Sequence, residues 1–238
     1  MKSTYYGDTF SIVMHRYSDP DRLNAARNAA IYLGKGDRDN IKRPLSIIRM
    51  GHVPEVFRGE MVEFEFIDVS KEVYDHLITY TTRNMRVAGG NRALTSDGYT
   101  MPSDRMKWTS LVDSSIELSM FNYSSLLQNG ESPQVARSAM PIAAKMNPFV
   151  YQFNFVTLMH IFNQRLWQRG AQGNTVKVVK GMYELVNSVD PELWETVRES
   201  MGEEMEDWKE VRKRLKKDQP RLYEKLIEDY GQRKSMWD

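Results

Sequence analysis

No cysteine occurs among the 238 residues. Its absence excludes disulfide bridges, thiolate metal sites and every mechanism that needs a cysteine nucleophile. An excess of one charge is also lacking: 33 Lys and Arg stand against 32 Asp and Glu, a formal net charge of +1. A binder of nucleic acid normally carries a strong basic excess, so nucleic acid is not an expected partner. No apolar run approaches the roughly 18 residues of a membrane span. Lys2 is followed by Ser3-Thr4-Tyr5-Tyr6-Gly7 rather than by an apolar leader. The chain is therefore expected to be cytoplasmic and to have no membrane partner. Histidine is scarce, and His15, His52, His76 and His160 show neither H-x-x-x-H nor H-E-x-x-H spacing; no metal site is expected. What remains is ordinary globular material, 41% hydrophobic and 27% charged, long enough for one large domain or two small ones.

Local patterns divide the chain. Residues 10–16 read as a short strand, and Asp19-Pro20-Asp21 as the start of a helix to about Tyr32, ended by Gly34-Lys35-Gly36. Those glycines are no phosphate loop, because G-x-x-x-x-G-K-[ST] is missing. A helix is predicted from Arg43 to Met50, stopped at Gly51. Met61 to Val69 alternates Val62, Phe64 and Phe66 with Glu63 and Glu65, the pattern of a half-buried strand. Ser70 caps a helix to about Arg83. Residues 86–104 are rich in Gly, Asn, Ser and Asp. They suit a surface loop, or backbone that approaches a phosphate or ring closely with Arg83, Arg86 and Arg92 as anion partners. Helices are predicted over Ser103–Gln128, stopped by Asn129-Gly130, and over Ser132–Lys145. From Pro191 the chain becomes dense in Glu, Lys and Arg, with Leu193, Trp194, Val197, Met201, Met205, Trp208, Val211 and Leu215 at helical spacing. The predicted division is therefore a domain over 1–190 and a charged helical extension over 191–238, broken at Pro220.

The stretch from Ser132 to Gln172 carries the most chemistry. Leu158, Met159, Ile161, Phe162 and Leu166 form the buried stripe of a helix. Asn154, Thr157, His160 and Arg165 fall at its margin. An amide, an imidazole and a guanidinium beside a core are costly unless they meet a partner or line a pocket. The plainer alternative is a half-exposed histidine and an arginine that snorkels to solvent.

Motifs in order along the chain resemble those of the flavin-dependent thymidylate synthases. Pro133-Gln134-Val135-Ala136-Arg137-Ser138-Ala139-Met140-Pro141 is similar to their P-x-x-[VA]-A-R-x-x-[LM]-P. Asn154, Leu158-Met159-His160, Arg165 and Ala171-Gln172 follow as in their N-x-x-x-L-M-[NH]-F-x-x-x-R and A-Q. Upstream, Ala25-Ala26-Arg27, Gly34-Lys35-Gly36, Met50-Gly51-His52-Val53-Pro54 and Val62-Glu63-Phe64-Glu65-Phe66 resemble the family's opening motifs. The likeness spans roughly residues 20 to 190. One motif departs: where the family has R-H-R-x-x-S-x-N-x-x-S-x-R, this chain reads Arg83-Asn84-Met85-Arg86 and on to Asn91 and Ser96. The absent cysteine separates the chain from classical thymidylate synthases, which attack uracil with a thiolate.

The resemblance implies an α+β fold, a central, mostly antiparallel sheet flanked by helices. It implies methylene transfer from methylenetetrahydrofolate to C5 of dUMP, reduction by FAD and re-reduction of the flavin by NADPH, in a homotetramer with sites between subunits. Arg165 falls on the arginine that contacts the uracil, and Arg137 on a nucleotide-phosphate arginine. His52, Arg83, Arg86, Asn91, Asn154 and His160 fall at flavin positions, with Arg83 and Arg92 also expected near the nucleotide. The altered motif leaves two alternatives, 5-hydroxymethylation of dUMP or dCMP and a non-catalytic oligomeric relative.

Overall fold

The computed structural model describes residues 2–51, 55–80, 84–89, 98–167 and 171–230. The described strands are β1 (Ser3–Tyr6), β2 (Ser11–Tyr17), β3 (Met61–Ile67), β4 (Asn84–Ala88) and β5 (Phe149–Asn154). They form one sheet in the order β1-β2-β3-β5-β4, antiparallel at every step. The fold is α+β, as the motifs implied.

Period-two alternation decides which face is inside. Met14 pairs with Phe64 and Phe64 with Tyr151, and beside them Val62 pairs with Phe153 and Phe66 with Phe149. All of these are buried. The neighbouring rows, Arg16 with Glu63 and Gln152, and Val13 with Glu65 and Val150, point to the other face. There His15 and Glu65 form a half-buried pair at 2.7 Å.

Helices cover the apolar face: α1 (Leu23–Tyr32), α2 (Arg43–Arg49), α3 (Lys71–Ile78), α6 (Phe155–Phe162), α7 (Gly173–Asn187) and α8 (Pro191–Val197). Each contributes its apolar stripe, for example Val178, Val179, Met182 and Val186 of α7. Two further helices lie outside this layer, α4 (Thr109–Gln128) and α5 (Pro133–Ala136). Helix α4 buries only Ile116 and Tyr123 among its residues. Its Leu111, Leu118 and Phe121, seven and three residues apart, are 63%, 60% and 67% exposed. Among the described residues no helix is long and apolar enough to cross a membrane.

Several elements differ from the sequence expectation. Helix α1 starts at Leu23, not at Pro20. Arg22 takes a left-handed conformation (φ 59°), and the Asp19 carboxylate accepts from the amides of Asn24 and Ala25 at 3.1 and 3.0 Å. Helix α3 ends at Ile78, short of Arg83. Helix α4 starts at Thr109 because residues 101–104 are tied elsewhere: Asn174 donates to the Met101 carbonyl (3.1 Å) and Asp104 accepts from the Gly173 amide (3.1 Å). The helix predicted over Ser132–Lys145 is a single turn, α5, plus a 3-10 turn at Arg137–Ala139. Met140 precedes Pro141 and is forced extended (ψ 135°).

Strands β1, β4 and β5 and helix α7 were not anticipated. β4 lies on the sheet edge, in sequence that reads as loop, and Gly89 ends it at φ +88°. A Cβ on Gly89 would stand 2.6 Å from Phe149 Cβ and 2.8 Å from the Pro148 carbonyl, so close packing on β5 accounts for that glycine.

The segment that opens at Pro191 divides in two. Leu193, Trp194 and Val197 of α8 are fully buried, and the Trp194 ring lies 5.5 and 5.4 Å from those of Phe155 and Phe162. Trp194 Nε1 donates to the Tyr17 hydroxyl at 3.1 Å. Asp190 caps α8 by accepting from the Leu193 amide (3.1 Å). A π-helical turn at Arg198–Glu203 then leads to α9 (Glu204–Asp218) and α10 (Pro220–Tyr230).

An ionic cluster fastens α8 to the start of α1. Buried Arg22 reaches Asp190 at 3.0 Å and Glu192 at 2.6 Å, and Lys42 also pairs with Glu192. The hydrogen bonds from Lys42 and Arg22 pull the Glu192 carboxyl down to about 2, whereas burial raises that of Asp190.

Candidate active site

Arg165 owes its placement to a change of helical pitch. Strand β5 runs straight into α6, and Asn154 makes the junction: its Oδ1 accepts from the Thr157 amide at 2.8 Å, capping the helix. Leu158, Met159, Ile161 and Phe162 are buried on the core side, as predicted, whereas Leu166 is only partly buried and Thr157, expected at the margin, is buried. After Phe162 the helix widens into a π turn, Asn163–Trp167. Such turns accommodate one extra residue and recur at functional sites. Here the turn carries Arg165 to the margin of the core, where the residue is half-buried.

Tyr80 receives it. Arg165 Nε donates to the Tyr80 hydroxyl at 2.8 Å, and the guanidinium carbon lies 5.8 Å from the ring centroid. The Tyr80 hydroxyl in turn donates to Gln164 Oε1 at 3.0 Å. The exposed ring of His160, one turn before Gln164, meets Tyr80 edge-on at 5.9 Å. With Nε engaged and no carboxylate paired among the described residues, the two Nη groups of Arg165 form an open fork suited to a planar acceptor. No motif marks Tyr80. Its one sequence signal is a position four residues after His76, just past a helix end.

A second chain of polar groups lies alongside. Gln172 caps α7, its Oε1 accepting from the Thr175 amide (2.8 Å) and hydroxyl (3.0 Å). Its Nε2 donates to Glu72 at 2.9 Å. Thr175, fully buried, meets His76 Nδ1 at 2.6 Å. Burial first, and then the charge of Arg165, lowers the proton affinity of His76. Burial, helped by Asp104, raises that of Glu72. The Ala171-Gln172 motif thus contributes a helix cap that also reaches α3.

The other predicted arginines stand on other elements. Arg137 lies on the 3-10 turn after α5, half-buried, with Nε donating to the Pro133 carbonyl at 3.1 Å. Ser132, Pro133 and Gln134 line an open depression with it. Arg86 projects from edge strand β4, exposed, its Nη1 donating to the Tyr74 hydroxyl at 3.0 Å. The structure thus brings Arg165, His160 and the capping Asn154 onto one short segment and leaves Arg86 and Arg137 with separate partners. His52, Arg83, Asn91 and Arg92 lie outside the described residues.

Comparison with curated proteins finds no match. Solved structures do match. A UMP/dUMP methylase, PolB, from Streptomyces cacaoi, bound with 5-bromo-dUMP, superposes with a TM-score of 0.65 at 16% identity, covering 81% of this chain and 96% of that one. Thymidylate synthase X from Helicobacter pylori, with FAD and dUMP, gives a TM-score of 0.61 at 16% identity, over 78% of this chain and 98% of the other. At such identity these likenesses establish the fold alone. The family model described as thymidylate synthase complementing protein matches residues 15–192, well over half of the chain, and the chain therefore belongs to that family, the flavin-dependent thymidylate synthases whose motifs it carries.

Proposed function

We propose that the protein is a flavin-dependent enzyme acting at C5 of dUMP, transferring a methylene from methylenetetrahydrofolate and reducing it to give dTMP, with NADPH as reductant. The observation that carries this reading is the Arg165 fork, held at Nε by Tyr80 and open at both Nη groups. A permanently charged, planar donor pair fits a pyrimidine edge and stabilises negative charge that develops on the ring. The two solved relatives, one with FAD and dUMP and one with a brominated dUMP, support the same substrate class.

FAD fits the residues present in part. Exposed Arg86 has donors left for a phosphate or ring carbonyl, and exposed His160 offers a ring edge. Asn154 Oδ1 is committed to its cap, so that residue would act by holding α6. When bound, the flavin supplies the hydride. The protein's part is to orient the nucleotide by Arg165 and Arg137 and to keep the reacting ring beside His76, Tyr80 and His160. His52, Arg83, Asn91 and Arg92 complete the proposed flavin and nucleotide contacts. A cytoplasmic homotetramer with sites between subunits belongs to the same proposal. The apolar row Leu111, Leu118 and Phe121 on α4 supports the assembly.

The altered signature, with Asn84 where the family has histidine, favours one second reading, 5-hydroxymethylation of dUMP or dCMP. Mass spectrometry decides. After incubation with FAD, NADPH, methylenetetrahydrofolate and dUMP, and in a parallel run with dCMP, dUMP is expected to give a nucleotide heavier by one CH2. A hydroxymethyl product would replace the first reading with the second, and unchanged dUMP and dCMP would overturn both.

A further inference from the structure

The hydrogen bonds around His76 favour one position for its proton. A backbone amide can only donate, so the Gln172 atom facing the Thr175 amide at 2.8 Å is the carbonyl oxygen. Its amide nitrogen therefore faces Glu72, at 2.9 Å, which agrees. Both contacts of the Thr175 hydroxyl are satisfied when it gives its single proton to that carbonyl, 3.0 Å away. Thr175 Oγ1 then has only lone pairs for His76, so the 2.6 Å contact requires a proton on Nδ1. In the neutral ring Nε2 is left bare. Among the described residues Nε2 has no protein partner, and His76 is only half-buried. Tyr80, the residue that holds Arg165, follows four positions later on the same segment.

Any enzyme that replaces C5–H of a pyrimidine by C5–C needs an acceptor for the released proton. We propose that His76 is that acceptor, its Nε2 kept bare by the Thr175–Gln172–Glu72 chain. The proposal rests on the reading of Arg165 as the pyrimidine-binding arginine. The C5–C bond forms from the ring's C5–C6 π pair as the C=N pair of the folate iminium passes to its nitrogen. The C5–H pair then returns to the ring, restoring the double bond, and the proton goes to Nε2. Among the charges around His76, Arg165 disfavours the imidazolium and Asp75 favours it, with burial outweighing both. Glu72 acts through Gln172 and Thr175, and α7 presents only the non-titrating Thr175. His76 is thus neutral at pH 7, and the acid limb of kcat/KM should lie below the ordinary histidine value of about 6.5.

The test begins without turnover. Long-range 1H–15N correlation on the full chain labelled with 15N-histidine, with His76 identified by its loss in His76→Gln, should give the Nδ1–H tautomer. In Thr175→Val that preference should vanish. An Nε2–H tautomer in the wild type overturns the wiring. Tritium release from [5-3H]dUMP comes second: His76→Gln should lower kcat by about 10²-fold or more and remove the acid limb, with dUMP affinity and flavin content unchanged. Unchanged kcat with an intact acid limb overturns the base role. Failure of the functional reading looks different: wild-type protein with the Nδ1–H tautomer that releases no tritium from dUMP overturns the substrate, and the base role with it.

Discussion

Arg165 is held by a neutral phenol rather than by a carboxylate, which keeps its charge available to a ligand. Arg165→Ala should lower kcat by about 10²–10³-fold, the usual cost of losing one charge-stabilising donor. The thermal unfolding midpoint should stay near that of the wild type, because the side chain leaves from the edge of the core. Steady-state kinetics beside a melting curve checks both halves. Tyr80→Phe removes only the hydroxyl, and a loss of about 1 kcal/mol, roughly fivefold in kcat/KM, is expected. Motif spacing made Arg165, His160 and Asn154 legible in the sequence. Tyr80 and Thr175 were not, because their importance comes from partners 85 and 99 positions away. Gly89 is the converse case, a glycine that suggested a ligand and is explained by packing on Phe149. Gly89→Ala should destabilise the fold by roughly 1–3 kcal/mol, read by denaturant unfolding.

Among the elements, α8 and its ionic anchor separate propensity from context. Spacing at Leu193, Trp194 and Val197 announced a helix correctly, but not its complete burial, since an amphipathic pattern does not say how deep its apolar side lies. The starts of α1, α2, α3 and α5 were legible to within three residues, that of α4 was six residues off, and α7 was missed. Of the three missed strands, β4 and β5 failed for different reasons. β5, Phe-Val-Tyr-Gln-Phe-Asn, alternates well but adjoins a strong helical pattern. β4 is a short edge strand in polar sequence. The anchor gives two measurable effects. Arg22→Ala leaves the buried Asp190 carboxylate unpaired and should cost about 3–5 kcal/mol of stability in chemical denaturation. Glu192 has a depressed proton affinity, so its contribution is complete above about 4.5 and lost as the pH falls toward about 2. Between those values stability should fall more steeply in the wild type than in Glu192→Gln, with the raised carboxyl of Asp190 partly opposing the slope.

For the whole molecule, the apolar row on α4 sits on a helix that buries little of itself within one chain. Phe121→Glu should therefore yield a smaller species by size-exclusion chromatography with light scattering, and activity should fall with it; an unchanged mass would rule α4 out as the contact. The α+β layering was legible because the sheet alternation and the family motifs agree. The closing of the core was not, since it depends on α8 returning to a floor built from Tyr17, Phe155 and Phe162. That return has a consequence for synthesis. The ribosome makes the floor well before Trp194, and at roughly 5–20 residues per second several seconds pass between Phe155 and Val197. A chain released or cut before Val197 would leave that aromatic floor without its lid, bare to chaperones and to neighbouring chains.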